Sequence, residues 1–335
     1  MEKTKRKRSI KKALLILLAV ILLLAVYDII MTKIYAQNIP HRFASAEDGR
    51  TLMLANTDYY DNYTQNDIDF RLKKTGGTMD ELLQKSADSV EEFGLIEKYS
   101  INRRFAKMSR TLKRNGYQLP KTDEIVLIAA DMTLESNVSG YTHGTEIYLN
   151  RGTVKIFAFM DLIPGQKLLD ELLWHELFHC LTRCNPEFRK QMYSLISFTV
   201  ADHDFEFPPC LKEKYSSNPD VEHHNAYATF NIDGKDIDCF LIYIYTKNYA
   251  EVQSDREDCS AVVLAPIDGT DTYYEREQAS NFDEVFGTYT YYVIDPEECM
   301  ADNFKLAMLY GMKGRTGNGY SNPEIIQGVI DTVSQ

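Results

Sequence analysis

Two of the seven histidines in this 335-residue chain stand four apart in "LLWHELFHCLT", Leu172 to Thr182, and a glutamate follows the first of them directly. On a helix, His175 and His179 project from one face one turn apart, the spacing at which two imidazoles reach one tetrahedral zinc ion. Glu176 lies about 100° round the helix, where it binds the same ion poorly but can contact a water held on it. Such a water has its pKa drawn toward neutrality, and a neighbouring carboxylate can take its proton and pass it to a leaving amine. That division of labour needs two histidines and one glutamate in this order. Leu172, Leu173, Leu177, Phe178 and Leu181 surround the three polar residues, so the helix is expected to be buried, where its histidines need partners. The competing reading is a core helix whose histidines are simply hydrogen-bonded.

A third ligand is offered near the C-terminus by "EECMAD", Glu297 to Asp302. Glu298 and Asp302 are four apart and share a helical face. Glu298 can complete the zinc site, and Asp302 can accept a hydrogen bond from the free nitrogen of a ligand histidine, His175 foremost, fixing its tautomer. Glu297 suits the ligand role less, having no aspartate four residues on. Glu298 also stands three after Asp295, where it can complete a capping box instead. Asp271 in "GTDTYY" is an alternative aspartate ligand.

"HELFH" and "ECMAD" together resemble the gluzincin metallopeptidases, whose hallmark is a His-Glu-x-x-His helix followed by a glutamate ligand on a second helix, in several families as Glu-x-x-Ala-Asp. The segments "LLWHELFHCLTRCNPEFR" and "YVIDPEECMADNF" are also similar to uncharacterised bacterial exported proteins of this type. The resemblance covers about a dozen residues. It implies an α+β zincin-like domain: a small sheet whose edge strand binds an extended peptide, an active-site helix, and a third-ligand helix. The metzincin pattern does not apply, because Thr182 and Asn185 stand where it requires glycine and histidine. The 119 residues between His179 and Glu298 also far exceed the spacing of the simplest gluzincins. Enzymes of this kind use a tyrosine or histidine to stabilise the oxyanion. Tyr292, after Tyr289 and Tyr291, and His224, beside His223, are the candidates, while His143 reads as a loop residue. The expected activity is zinc-dependent hydrolysis of peptide bonds in a peptide or protein, with Glu176 as general base and acid. A zinc-stabilised exported binding domain without catalysis, or a hydrolase of a non-protein amide, would carry the same motif.

Elements must position these residues. Met79, Leu82, Leu83, Ala87, Val90 and Phe93 share one helical face, and Ile101, Phe105, Met108 and Leu112 share another, stopped at Asn115-Gly116. "EIVLIAA" (124–130) and "TEIYLN" (145–150) read as strands. The motif helix is expected over about 166–183, ended by Asn185-Pro186 ahead of another amphipathic helix. A β-rich insertion follows at about 201–287, with a hairpin around Asp233-Gly234 and a strand at "CSAVVLAPI". Asp295 and Pro296 open the last helix, which Gly311 or Gly314 stops.

The first twelve residues carry seven bases and one acid, leaving a body of 30 bases and 48 acids, whose strong negative charge disfavours nucleic acid as a partner. An uncharged run, Ala13 to Tyr27, follows the basic start and is a membrane-targeting segment, uncleaved anchor in preference to signal peptide. Basic residues stay inside, so the remainder is expected outside the membrane. The expected division is a basic segment and membrane anchor or signal over 1–36, a linker and irregular region over 37–77, and the metallopeptidase domain over 78–335. Six cysteines in an exported chain permit disulfides, and a Cys180–Cys299 bridge would join the two ligand helices.

Overall fold

The computed structural model describes residues 2–254 and 257–334. Among them the chain is mixed α and β, with two five-stranded sheets and thirteen α-helices. Helix α1 (Glu2–Ala36) contains an apolar stretch, Lys11–Ala36, long enough to cross a membrane, and fits a signal sequence or an anchor. Strand β1 (His41–Phe43) follows, then the short helices α2 (Ala46–Ala55), α3 (Thr57–Asp61) and α4 (Gln65–Leu72). Next come α5 (Met79–Ser89), β2 (Val90–Glu91), α6 (Leu95–Asn115), β3 (Ile125–Ala130), β4 (Gly140–His143) and β5 (Glu146–Asn150). Helix α7 (Arg151–Met160) leads to the motif helix α8 (Leu168–Cys184) and to α9 (Pro186–Ser194). The β-rich part holds β6 (Thr199–Val200), α10 (Pro209–Lys212), β7 (Ala226–Ile232), β8 (Lys235–Tyr245), β9 (Ser260–Pro266) and β10 (Tyr274–Glu275). The chain ends with α11 (Phe282–Phe286), α12 (Pro296–Tyr310) and α13 (Pro323–Val333).

In the first sheet β3 pairs parallel with β1 and β5, β2 pairs with the far end of β3, and β4 lies antiparallel on β5 as the edge. The second sheet is antiparallel throughout, in the order β10-β9-β8-β7-β6. Its strands are not a detached lobe. Residues alternate across β8, so Cys239 and Leu241 join the main core with Trp174, Phe178 and Phe304, while Phe240, Ile242 and Ile244 form a second cluster on the other face. On the far face of the first sheet, α2 approaches so closely that a Cβ on Gly49 would stand 2.9 Å from Val90 Cγ1 and 3.0 Å from Ile128 Cγ2, so only glycine fits there without repacking.

Residues 37–77, expected as linker and irregular chain, instead hold β1 and three helices. Ser45 and Thr64 cap α2 and α4 by accepting from the amides of Asp48 and Asp67. The polarity that made the stretch look unstructured is used inside the fold. Asp67, fully buried, pairs with Arg71, accepts from the amide and hydroxyl of Ser217, and accepts from the Tyr245 hydroxyl (3.0 Å). Arg71 also donates to Glu135 (3.2 Å) and to the Ser217 carbonyl (2.9 Å). Buried charges of this kind are tolerated because every one of them is paired.

Two local differences have similar causes. Helix α5 stops at Ser89, and Val90 is drawn into β2 by pairing with Ala130. The segment with His143, expected as loop, is the edge strand itself, because Gly140 to His143 pair with Glu146 to Leu149 across a tight turn. All six cysteines are free thiols, so Cys180 and Cys299 are buried but not bridged.

Candidate metal centre

Helices α8 and α12 pack side by side, with Trp174 and Phe178 against Phe304 at ring-centroid separations of 5.8 and 5.3 Å. This contact carries Glu298, fully buried, to the two motif histidines. Glu298 Oε2 lies 3.0 Å from His175 Nε2 and 3.8 Å from His179 Nε2. Ligand atoms on a tetrahedral zinc stand about 3.4 Å apart for bonds near 2.1 Å, so these separations bracket the value for one shared ion. His179 Nε2 is buried with no hydrogen-bond partner, a cost that an ion at this position removes. His175, His179 and Glu298 thus form a buried group able to hold a metal ion, and Glu176, His179 and Asp220 form a second that shares His179.

Each histidine is oriented by a carboxylate on its other nitrogen. Asp302 Oδ1 lies 3.0 Å from His175 Nδ1, as its position four residues after Glu298 predicts, and is itself held by the Thr290 hydroxyl (2.9 Å) and Lys305. Glu297 does the same for His179, at 2.9 Å from Nδ1. It also accepts from the Thr182 hydroxyl (2.6 Å), the Tyr193 hydroxyl and, through its own amide, is tied to Asp295 (2.8 Å). With both Nδ1 atoms engaged, both Nε2 atoms face Glu298.

Charge follows this geometry. Burial alone would lower the His175 imidazole, but Asp302 and Glu298 outweigh it and hold its pKa up to about 10. Burial likewise opposes the carboxylate charges, yet His179 and two arginines bring Glu297 down to about 2, and His175 lowers Glu298 and Asp302. Asp220 goes the other way, raised by burial and by the nearby Glu298 and Glu176 charges. Replacing Glu297 by glutamine keeps the shape but removes the charge facing His179. The expected results are about 10–100-fold weaker metal binding, read by competition with a chromophoric chelator, and about 1–3 kcal/mol lower stability.

Glu176 stands apart from the three-ligand set and faces the edge of the first sheet. Its Oε2 accepts from the Thr142 hydroxyl at 2.8 Å. Ser139 is bonded to β5 through Asn150, so the even-numbered residues of β4 turn their backbone groups to the open edge. Part of that edge is occupied by the chain itself. Asp220 accepts from the Thr142 amide (2.6 Å), Glu222 from the Gly144 amide, and Arg183 donates to the Thr142 carbonyl (3.4 Å). Gly140 remains beside the cleft, where a Cβ would come within 2.9 Å of the Tyr148 carbonyl and 3.3 Å of Glu176 Oε1. The cleft has a volume of about 610 Å³ and is lined by Gly140, Tyr141, His175, Glu176, Tyr292 and Asp302 among others.

Other sequence-based candidates separate cleanly. The Tyr292 ring lies 6.0 Å from that of His175, and its phenol is raised by burial and then by Glu298. His224 does not reach the site: it packs against Phe207 (4.8 Å) and bonds the Tyr215 hydroxyl (3.1 Å), because its strand approach turns it into the second cluster. Asp295 caps α12 through the Glu297 amide, so Glu298 is not needed as a capping partner. Asp271 is bound to the Cys210 amide on the surface. Thr142, Asp220 and Asn218, whose amide donates to Glu298 Oε1 (3.0 Å), are additions that the linear pattern did not single out, and Glu297, weighed there only as a ligand, instead orients His179. The pair of adjacent glutamates opening α12 is a signal for Glu297. The other three lie in segments with no local signal.

Burial lowers the His224 imidazole to about 4. A lowered histidine binds its proton more readily when unfolded, so its contribution to stability is complete above about pH 6.5 and is lost as pH falls through 4. His224→Gln is expected to be less acid-sensitive than the parent by about 2 kcal/mol between pH 7 and 4. Urea unfolding at the two pH values measures this, and equal losses in both proteins would refute it.

Compared with protein-family models, curated proteins and solved structures, the chain matches none.

Proposed function

We propose that this protein is a zinc-dependent peptidase, held or exported through α1 so that the rest of the chain acts outside the membrane. The observation that carries the reading is a buried His175–His179–Glu298 group with a separate carboxylate, Glu176, between that group and an open strand edge. Two imidazoles and one carboxylate leave one position free, the donor set of catalytic zinc. Zinc bound there would polarise a carbonyl and make a water acidic enough to lose its proton near neutral pH.

The remaining steps belong to the chain. Glu176, oriented by the Thr142 hydroxyl, takes the proton of the attacking water and hands it to the departing amine nitrogen as the carbon–nitrogen bond breaks. Gly140 presents the backbone groups that register an extended substrate, as an added strand would be registered. Tyr292, whose ring lies 6.0 Å from that of His175, serves as the donor to the oxyanion in this reading. The test uses the full chain in detergent: about one zinc per chain is expected, with cleavage of an unstructured protein lost on chelation and restored by zinc. Purified protein that never holds metal would sink the reading.

One observation favours a second reading, a structural site. Asp220 Oδ1 lies 3.8 Å from His179 Nε2 and shares that histidine in the second group, so a shift of its side chain toward His175 would close the first set with a fourth protein ligand, and closed four-ligand sites are structural. The readings part at Asp220→Ala. A catalytic centre keeps its metal in that variant, whereas a closed structural site loses metal affinity by about a hundredfold or more and lowers the melting temperature.

A further inference from the structure

Asp28 of α1 pairs with Tyr99 and Arg103 of α6, and seven residues on, Tyr35 lies under the Arg110 guanidinium, which is seven beyond Arg103. The two helices therefore run parallel. Leu95, four residues before Tyr99, sits about 6 Å back along the axis, level with about Leu24 inside the uncharged run of α1. At that tip Leu95 and Ile96 are 87% and 79% exposed. Helix α7 is tied to the same tip, Arg151 and Lys155 meeting Glu97, and Asp161 beyond its end meets Arg104. Its outer face carries Ile156 and Phe159, 61% and 70% exposed, and Leu162 and Ile163 follow just beyond its end, 70% and 46% exposed. Single exposed apolar residues are ordinary, but a group gathered around the exit of a membrane-length helix is not.

We propose that Leu95, Ile96 and the outer face of α7 form a second membrane contact, seating the folded domain on the bilayer that α1 crosses. The occupant is lipid because the group is continuous with the apolar surface of α1. Lys98 lies one turn past Leu95 on α6, and Arg103 and Lys155, paired with Asp28 and Glu97, keep side chains about half exposed that can also meet lipid phosphates, against Glu91 and Glu92 on the strand side. Seating of this kind limits how the domain tilts about its anchor, and hence which way the cleft opens. The proposal rests on α1 spanning a bilayer and is independent of the metal centre.

The chain has one tryptophan, Trp174, 1% exposed, so an added tryptophan reports its own surroundings. The full chain carrying Leu95→Trp or Phe159→Trp is reconstituted in phosphatidylcholine–phosphatidylglycerol vesicles with or without brominated acyl chains. Leu24→Trp serves as the reference inside α1, and Lys235→Trp, at the exposed tip of the β7–β8 hairpin, as the reference in water. Emission from positions 95 and 159 is expected to fall about twofold in brominated lipid, following Leu24→Trp, with Lys235→Trp unchanged. Quenching at 95 and 159 no greater than at 235 overturns the proposal, whether or not position 24 is quenched. Emission at 95 that depends on protein density rather than on bromine also overturns it, because the face is then covered by a second copy.

Discussion

Glu176→Gln is expected to retain a full complement of metal and to lose about 10²–10⁴-fold in kcat, with little change in thermal stability. Glutamine has the size of glutamate and its amide oxygen can still accept from the Thr142 hydroxyl 2.8 Å away in the parent, so the wall of the cleft is preserved. On the proposed mechanism, what disappears is the group that accepts a proton in the attack and returns it in the collapse. With the ion on the His175–His179–Glu298 set, Glu176 is not a ligand and the metal stays, whereas metal lost from this variant would place the ion on the second group, Glu176, His179 and Asp220. Metal analysis, melting temperature and kcat are measured on one preparation. Unchanged kcat with full metal would remove Glu176 from the chemistry and leave the non-catalytic reading standing.

His179→Ala is expected to weaken metal binding by at least about a hundredfold, through the loss of one of three protein ligands. Its second effect does not involve the metal at all. In the parent, His179 Nδ1 is one of the donors that hold the buried Glu297 carboxylate charged. Removing it leaves a buried anion short of a partner, at a cost of about 1–3 kcal/mol. The variant should therefore melt below the chelated parent, whereas Glu298→Gln, which removes a ligand but leaves Glu297 its donors, should melt closer to it. Identical melting of the chelated parent and His179→Ala would show that Glu297 does not depend on that bond.

Legibility in the sequence followed the range of the interaction. His175, Glu176 and His179 were readable because helix geometry alone puts residues four apart on one face, and Glu298 with Asp302 for the same reason. The strands at 125–130 and 146–150 were readable from β-branched apolar runs, and the ends of α6 and α12 from their glycines. Helices α2 to α4 were not, since their aspartates and Arg71 look like solvent-facing residues until Ser217, Glu135 and Tyr245 arrive from elsewhere to bury and pair them. His224 and Tyr292 looked equivalent as donors in the linear chain, yet only one reaches the cleft.

By itself, then, the sequence determined two helical faces, each bearing ligand-type residues at one-turn spacing, and an apolar N-terminal helix. That these faces meet, that Glu297 takes the second histidine, and that Asp220 and Glu222 cap part of the β4 edge were decided only in the tertiary structure. The reason is physical. Spacing within a helix is set by its covalent geometry and its own hydrogen bonds, but the approach of Glu298 to His179 across 119 residues is set by how Trp174, Phe178 and Phe304 pack. Packing of that kind depends on the shape of the whole core, and no local pattern encodes it.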